Sequence, residues 1–231
     1  KTNIIGAMNV IDAAIDARVK RVVALSTDKA SAPINLYGAT KLCADKLFVA
    51  GNSYTGGKHT QFSVVRYGNV MGSRGSIIPF FTELKGQGEI PITDERMTRF
   101  MISLEDGVSL VWHAFNDMEG GEIYVKKIPS MKVIDIAQTI APEDSHKIIG
   151  IRPGEKLHEQ MVGLEDAYYT YDYDGYYKIL PAIHKWDADK NRIKSGKKVP
   201  EGFTYTSDNN SEWMDQPTLK KWIEENAQDI G

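Results

Sequence analysis

Two hydrophobic periods alternate through residues 1–75, and that alternation limits the chain to few architectures. Ile4, Met8, Ile11 and Ile15 recur at spacings of 4, 3 and 4, which puts them on one face of a helix. Residues 21–26 (RVVALS) form a short apolar run of the kind buried on both faces of a parallel sheet. Residues 37–50 return to a helical spread of Ala and Leu, with Leu42, Lys46 and Val49 along it. Residues 62–67 (FSVVRY) read as a second buried strand. Strands separated by helices predict an α/β fold, a parallel sheet covered by helices.

After residue 75 the texture changes. Gly86-Gln87-Gly88 and Pro91 interrupt the pattern. Ser103 and Asp106 read as a capping box that opens a helix through Leu110 and Phe115, with Gly120-Gly121 ending it. Strands are expected over 123–125 and 147–151, a helix start between Ser130 and Asp135, and an amphipathic closing helix over 218–227. Residues 168–177 alternate Tyr with Asp and read as an exposed strand or loop. The expected division is one domain over residues 1–75 and a smaller mixed α/β lobe over 76–231.

Composition narrows the function classes. The net charge of −3 gives no reason to expect nucleic acid or an anionic membrane surface as a partner. Arg66, Arg74, Arg96, Arg99 and Arg152 stand singly, as individual anion contacts do. No apolar run approaches the ~20 residues of a membrane span. The single cysteine, Cys43, makes an intrachain disulfide impossible and fits a reducing, cytoplasmic compartment. Its apolar, helical neighbourhood predicts a packed side chain. His59, His113, His146, His158 and His184 are far apart, so no metal is expected. Glu155, His158 and Glu159 are expected on one short helix, in an order that matches no zinc-protease motif.

The chemistry concentrates where the first strand ends. Leu25-Ser26-Thr27-Asp28-Lys29 is followed by Tyr37-Gly38-Ala39-Thr40-Lys41, at the carboxyl edge of a strand where open parallel sheets bind ligands. Tyr37 and Lys41 are four apart and share a helix face. An ammonium there favours the tyrosinate, so a phenol that normally titrates near ~10 becomes a base closer to neutrality. The bland alternatives are a Tyr at a helix start beside a solvated Lys, and for Asp28-Lys29 a surface ion pair in a turn.

Four segments, STDKASAPINLYGATK, FSVVRYGNVMGSRGS, PITDERMTRF and IRPGEKLHE, together with the ending YTSDNNSEW, resemble the extended short-chain dehydrogenase/reductases. Within them the chain is most similar to the inverting UDP-N-acetylglucosamine 4,6-dehydratases of the pseudaminic acid type, from bacteria that glycosylate flagella or surface polysaccharide. The resemblance implies a Rossmann-like sheet whose C-terminal part is residues 1–75, followed by a nucleotide-sugar lobe. It implies a homo-oligomer that uses NADP, with NAD as the alternative. That family opens on a strand and a G-x-G-x-x-G turn for the pyrophosphate. Neither is found here, and Gly51, Gly56 and Gly57 do not qualify. The expectation is therefore a fragment lacking on the order of 100 residues, including the residue that selects NAD or NADP.

By the same resemblance Tyr37 is the base on the sugar 4-hydroxyl, Lys41 orients the nicotinamide ribose, and Thr27 completes the triad. Asp28 is the acid that protonates the departing 6-hydroxyl, and Lys29 the base that takes the C5 proton. Hydride moves from C4 to the cofactor and back to C6. Leu25, Ser26 and Val70 line the cofactor with Tyr37 and Lys41. Asn69, Arg74, Arg99, Arg152 and Glu155 meet the substrate, the arginines as diphosphate clamps and Glu155 on the uridine ribose. Arg152 and Glu155 are expected near one helix start, whose dipole favours anions. Because an anion beside Lys29 would keep it protonated, the Asp28 and Lys29 side chains are expected to diverge. Three rivals stand beside this reading: a sugar 4-epimerase, which lacks the Asp-Lys pair; a retaining, membrane-anchored dehydratase, which carries Met in place of the Tyr; and a non-catalytic scaffold subunit.

Overall fold

The computed structural model describes residues 1–55, 60–182 and 190–227. Gly56, Gly57, His59 and His184 lie outside them. In chain order, α1 (Thr2–Asp16), β1 (Arg21–Thr27), a 3-10 turn (Asp28–Ala30), α2 (Leu36–Tyr54) and β2 (Gln61–Tyr67) come first. Next are β3 (Asn69–Val70), α3 (Ile77–Leu84), β4 (Glu89–Ile92), β5 (Thr98–Ile102) and α4 (Leu104–Asp117). They are followed by β6 (Ile123–Lys126), β7 (Ser130–Lys132), α5 (Val133–Ile140), β8 (Ser145–Ile148), β9 (Gln160–Val162) and α6 (Leu164–Ala167). The chain continues with β10 (Thr170–Tyr173), β11 (Tyr176–Ile179), α7 (Lys190–Ile193), β12 (Lys197–Lys198), β13 (Tyr205–Thr206) and α8 (Gln216–Glu225).

The described residues group into two compact units. The first takes residues from Lys1–Tyr67, Val108–Lys127 and Gln160–Tyr205, and the second takes Gly68–Gly107, Ile128–Glu159 and the residues from Thr206 onward. The chain leaves the first unit at Tyr67 and returns to it twice, where the sequence pattern suggested one boundary at residue 75. The returns have a simple cause: β6, β10, β11 and β12 join the sheet begun by β1 and β2.

That sheet runs in the order β1-β2-β6-β11-β10-β12. β1 and β2 are parallel in register from Arg21↔Gln61 to Thr27↔Tyr67, and β6 lies parallel to β2. Beyond β6 the pairing turns antiparallel, and β10 and β11 form a hairpin through a short turn with Gly175 at φ 75°. β2 is buried on both faces. Phe62 packs with Ile11 and Ala14 of α1 and with Leu47 and Phe48 of α2. Val65, on the opposite face, packs with Leu110, Ala114 and Met118 on or just beyond α4. Alternate residues of a strand point to opposite faces, so a near-continuous apolar strand needs helices on both sides.

The second unit has a three-stranded sheet, β3-β5-β7, and a pair of parallel strands, β4 and β8. Ile78 and Phe81 of α3, Ile90 and Ile92 of β4, Ile136 and Ala137 of α5, and Leu219 of α8 form one core. The capping box that opens α4 is present, with the Asp106 amide donating to Ser103 Oγ at 3.1 Å and the Ser103 hydroxyl donating to Asp106 at 2.9 Å.

Three local expectations change. Cys43 is exposed rather than packed, because α2 turns it away from Ala44 and Asp45, which are buried. The strand expected over 147–151 is β8, Ser145–Ile148; Gly150, at φ 86°, turns the chain away soon after its end. The Tyr-rich stretch is a hairpin whose Tyr171 and Tyr173 are buried, while Tyr168 stays exposed. Tyr173 stacks on Tyr176 with ring centroids 4.7 Å apart and donates its phenol proton to the Ile193 carbonyl.

Beside that hairpin Lys178 is almost fully buried at 1% exposure. It donates to Asp117 and lies over the rings of Tyr173 and Tyr124, at 4.9 and 5.5 Å. Burial would raise the Asp117 carboxyl, but hydrogen bonds from Lys178, Lys194 and Tyr124 outweigh it and hold the group at about 2. A carboxyl whose folded pKa lies below its unfolded value of ~3.9 contributes stability above that value and loses it as pH falls through the folded pKa. Denaturation titrations should therefore show stability declining between about pH 4 and 2. Asp117→Asn should be less stable at neutral pH and should lack that part of the decline.

Candidate active site

β1 ends at Thr27, and the chain turns at once into the 3-10 turn. The Thr27 hydroxyl caps this turn by accepting from the Lys29 amide at 3.3 Å, and donates to Asp28 Oδ1 at 2.8 Å. Lys29 Nζ reaches the same Oδ1 at 3.1 Å. The Asp28 and Lys29 side chains thus pair instead of diverging. They are adjacent in a tight turn, and Thr27 fixes the carboxylate where the ammonium reaches it. Nor is this a surface pair: Asp28 is fully buried, while the Lys29 side chain stays 36% exposed.

α2 delivers the next two groups. Its N-terminus is capped by Asn35, whose side-chain oxygen accepts from the Gly38 amide at 2.9 Å. Tyr37, 52% exposed, lies one turn before Lys41 on this helix. Lys41 Nζ donates to the Leu25 carbonyl at 2.7 Å, which ties the helix to the strand end. Leu25 is itself half-exposed at that edge. The phenol of Tyr67, half-buried at the end of β2, is raised by burial and then by the neighbouring Tyr37. A phenol, an ammonium and an exposed apolar residue at the carboxyl ends of parallel strands form a donor set that suits a dinucleotide carrying a nicotinamide ring.

Beneath these groups lies a network that the sequence pattern did not single out. Asp45, one turn beyond Lys41, accepts from the Ser26 hydroxyl at 2.8 Å and from Arg66 at 3.3 Å. Arg66 is 2% exposed and also donates to the Met161 carbonyl at 2.7 Å and to Asp166 at 3.4 Å. Burial raises the Asp45 carboxyl, against the pull of Arg66, Ser26 and Lys41. The signal was available: an Arg inside the apolar run FSVVRY needs a buried acid, and Asp45 shares a helix face with Tyr37 and Lys41.

In the second unit, Asn69 and Val70 make up β3, paired with Met101 and Ile102 of β5. Arg74 is exposed in the turns that follow, between Gly72 and Gly75, both at φ 74°. Arg99 is held within the unit: it donates to the Thr98 and Leu157 carbonyls at 2.7 and 3.3 Å, and its Nε lies 3.7 Å from Glu159. Residues 150–159 form turns and no helix, so the expected dipole at Arg152 is absent and Glu155, His158 and Glu159 share no helix. Pro153 and Gly154, the latter at φ 84°, set the turn, and the Glu155 carboxylate accepts from the Arg152 amide at 3.3 Å. Arg152 and Glu155 are nonetheless brought together. His158 Nδ1 contacts the Thr98 hydroxyl at 2.8 Å. Arg96 is clamped on Asp94 at 2.8 and 3.0 Å. Among the described residues no helix is long and apolar enough to cross a membrane.

Residues 1–181 match the family described as Polysaccharide biosynthesis protein. Over 226 residues the chain is 57% identical to a Campylobacter jejuni protein named UDP-N-acetylglucosamine 4,6-dehydratase (inverting), covering 95% of this chain and 68% of that one. It is 40% identical to a Rickettsia akari protein named UDP-glucose 4-epimerase, covering 90% of this chain and 62% of that one. The X-ray structure of Pen from Bacillus thuringiensis superposes with a TM-score of 0.84 at 34% identity, covering 99% of this chain and 69% of that one.

The packing of α2 on the 3-10 turn can be tested directly. A Cβ on Gly38 would run into the Lys29 carbonyl oxygen, which is backbone and has no easy way to yield. Gly38→Ala should therefore cost about 1–3 kcal/mol in urea unfolding despite Ala's better helix propensity.

Proposed function

Since the chain belongs to the polysaccharide biosynthesis protein family and, within it, to the inverting UDP-N-acetylglucosamine 4,6-dehydratases, we propose that it converts UDP-N-acetylglucosamine to the UDP-4-keto-6-deoxy-amino sugar with inversion at C5. The observation that carries the chemistry is the buried Asp28 carboxylate paired with Lys29 beside the helix of Tyr37 and Lys41. Leu25, Ser26, Tyr37 and Lys41 would hold a bound nicotinamide dinucleotide, which would supply the hydride acceptor and donor, and Val70 is proposed as a further contact.

Tyr37 takes the 4-hydroxyl proton as C4 is oxidised, with Lys41 one turn along the same helix. The new 4-ketone acidifies C5. Lys29 takes the C5 proton, and the C5–C6 double bond forms as the 6-hydroxyl leaves as water with a proton from Asp28; C6 then receives back the hydride that left C4, and C5 takes a proton on its opposite face, which gives the 6-deoxy sugar with C5 inverted. The pairing of these two residues supplies both roles. An ammonium and a carboxylate at 3.1 Å become an amine and a carboxylic acid when one proton crosses between them.

Arg74, Arg152 and Glu155, exposed or partly so, are the proposed contacts for the diphosphate and ribose, with Asn69 on the sugar. Arg99 holds the 157–159 segment and would reach phosphate only by giving up its carbonyl partners. In the same proposal residues 1–67 with β6 serve the dinucleotide and the second unit serves the nucleotide sugar. NADP as the cofactor, a homo-oligomer, a cytoplasmic location and a product bound for pseudaminic-acid-type glycans rest on the resemblance of the motifs. The rickettsial relative keeps a 4-epimerase reading in view, and the two predict different products: an epimer that keeps its 6-hydroxyl against a 4-keto-6-deoxy sugar.

In the intact gene product, Lys29→Ala incubated with UDP-N-acetylglucosamine in deuterated water should not exchange the C5 proton, although reduced cofactor forms in a single turnover. Normal exchange and normal product by mass spectrometry would remove Lys29 from the mechanism. Arg152→Ala should mainly raise KM, by about tenfold or more for one charged hydrogen bond lost. Unchanged affinity for UDP in calorimetry would overturn that assignment.

A further inference from the structure

Asp45 takes no part in the steps above, yet it is a buried acid one helical turn from Lys41 and two turns from Tyr37. The three share one face of α2. Two of them grip successive residues of β1: Lys41 Nζ holds the Leu25 carbonyl at 2.7 Å, and the Asp45 carboxylate holds the Ser26 hydroxyl at 2.8 Å. The next residue of β1 is Thr27. Arg66 of β2, opposite Ser26 in the parallel register, secures Asp45 from the other side at 3.3 Å.

We propose that Asp45 is a positioning residue of the active site: clamped between the Ser26 hydroxyl and the Arg66 guanidinium, it fixes how α2 sits on the end of β1 and so places Tyr37 and Lys41 beside Thr27. The groups around it are few. β1 contributes Ser26, β2 contributes Arg66, and α2 contributes Lys41. Asp166 of α6 stands behind Arg66 at 3.4 Å. The Ser26 and Arg66 bonds to Asp45 together resist sliding of the helix along the strand end, and catalysis is sensitive to small displacements of its groups.

This inference rests on the reading of Tyr37 and Lys41 as the redox pair, and its test separates the two. Tyrosine labelled with 13C at Cζ, with the Tyr37 signal identified by its loss in Tyr37→Phe, reports the ring without any turnover. In Asp45→Asn of the intact gene product that signal should shift, because the helix no longer holds the ring where the clamp placed it. The kcat for UDP-N-acetylglucosamine should fall by about threefold to tenfold, with KM within about twofold. If the Tyr37 signal and kcat both stay put while only the melting temperature drops, Asp45 is structural and the proposal fails. If the signal moves but neither protein forms a 4-keto product, the positioning role stands and the dehydratase reading fails. Should Asp45→Asn not fold, Ser26→Ala leaves the ion pair intact and removes one neutral bond. It should lower kcat by about threefold to tenfold with KM within about twofold, and an unchanged kcat would overturn the proposal.

Discussion

The parallel register of β1 on β2 is the constraint from which most of the first unit follows. It sets Ser26 opposite Arg66 and Thr27 opposite Tyr67 at the carboxyl ends of both strands. Arg66 then lies in a strand buried on both faces, where an unpaired guanidinium would be very costly. Asp45 on α2 and Asp166 at α6 answer that charge. The helix carrying Tyr37 and Lys41 is thereby tied to β2, the in-register neighbour of the strand carrying Thr27, by an interaction that cannot be removed on one side without stranding the other.

The contact between Asp28 and Lys29 shows how far charge arguments reach without geometry. Taken alone, an anion beside Lys29 keeps it protonated and argues against a base. In the structure Asp28 is completely buried, and the Thr27 hydroxyl and the Lys29 ammonium meet on the same carboxylate oxygen. The proposed mechanism needs one proton to pass across that contact.

The outlines of this fold were legible because they rest on short-range patterns. The apolar run at 62–67 is a strand buried on both faces, as first reasoned, whereas the run at 21–26 is a strand at the sheet edge, only partly buried, with Leu25 half-exposed; the Ser103–Asp106 capping box sits where its side chains alone placed it. Misreadings came where a distant contact, the facing of a helix or a local backbone turn overrode the pattern. Tyr171 and Tyr173 alternate with polar residues as an exposed strand does, but the hairpin is covered and Tyr173 finds the Ile193 carbonyl twenty residues on. Cys43 has apolar neighbours in sequence, but the helix turns it outward. The RPGE segment looks like a helix start until Gly154 adopts a positive φ and Glu155 bonds back to the Arg152 amide.

By itself, then, the sequence determined the alternation of strands and helices, the parallel pairing of the first two strands, and the clustering of Thr27, Asp28, Lys29, Tyr37 and Lys41 around one strand end. All of these follow from spacings of a few residues or from the short link between β1 and α2. Tertiary structure decided which partners those residues keep. Asp45 meets Arg66 across 21 positions, and Arg66 meets Met161 across 95. Burial selects such pairs, because a charge removed from water must find its counterpart wherever the fold brings one within reach.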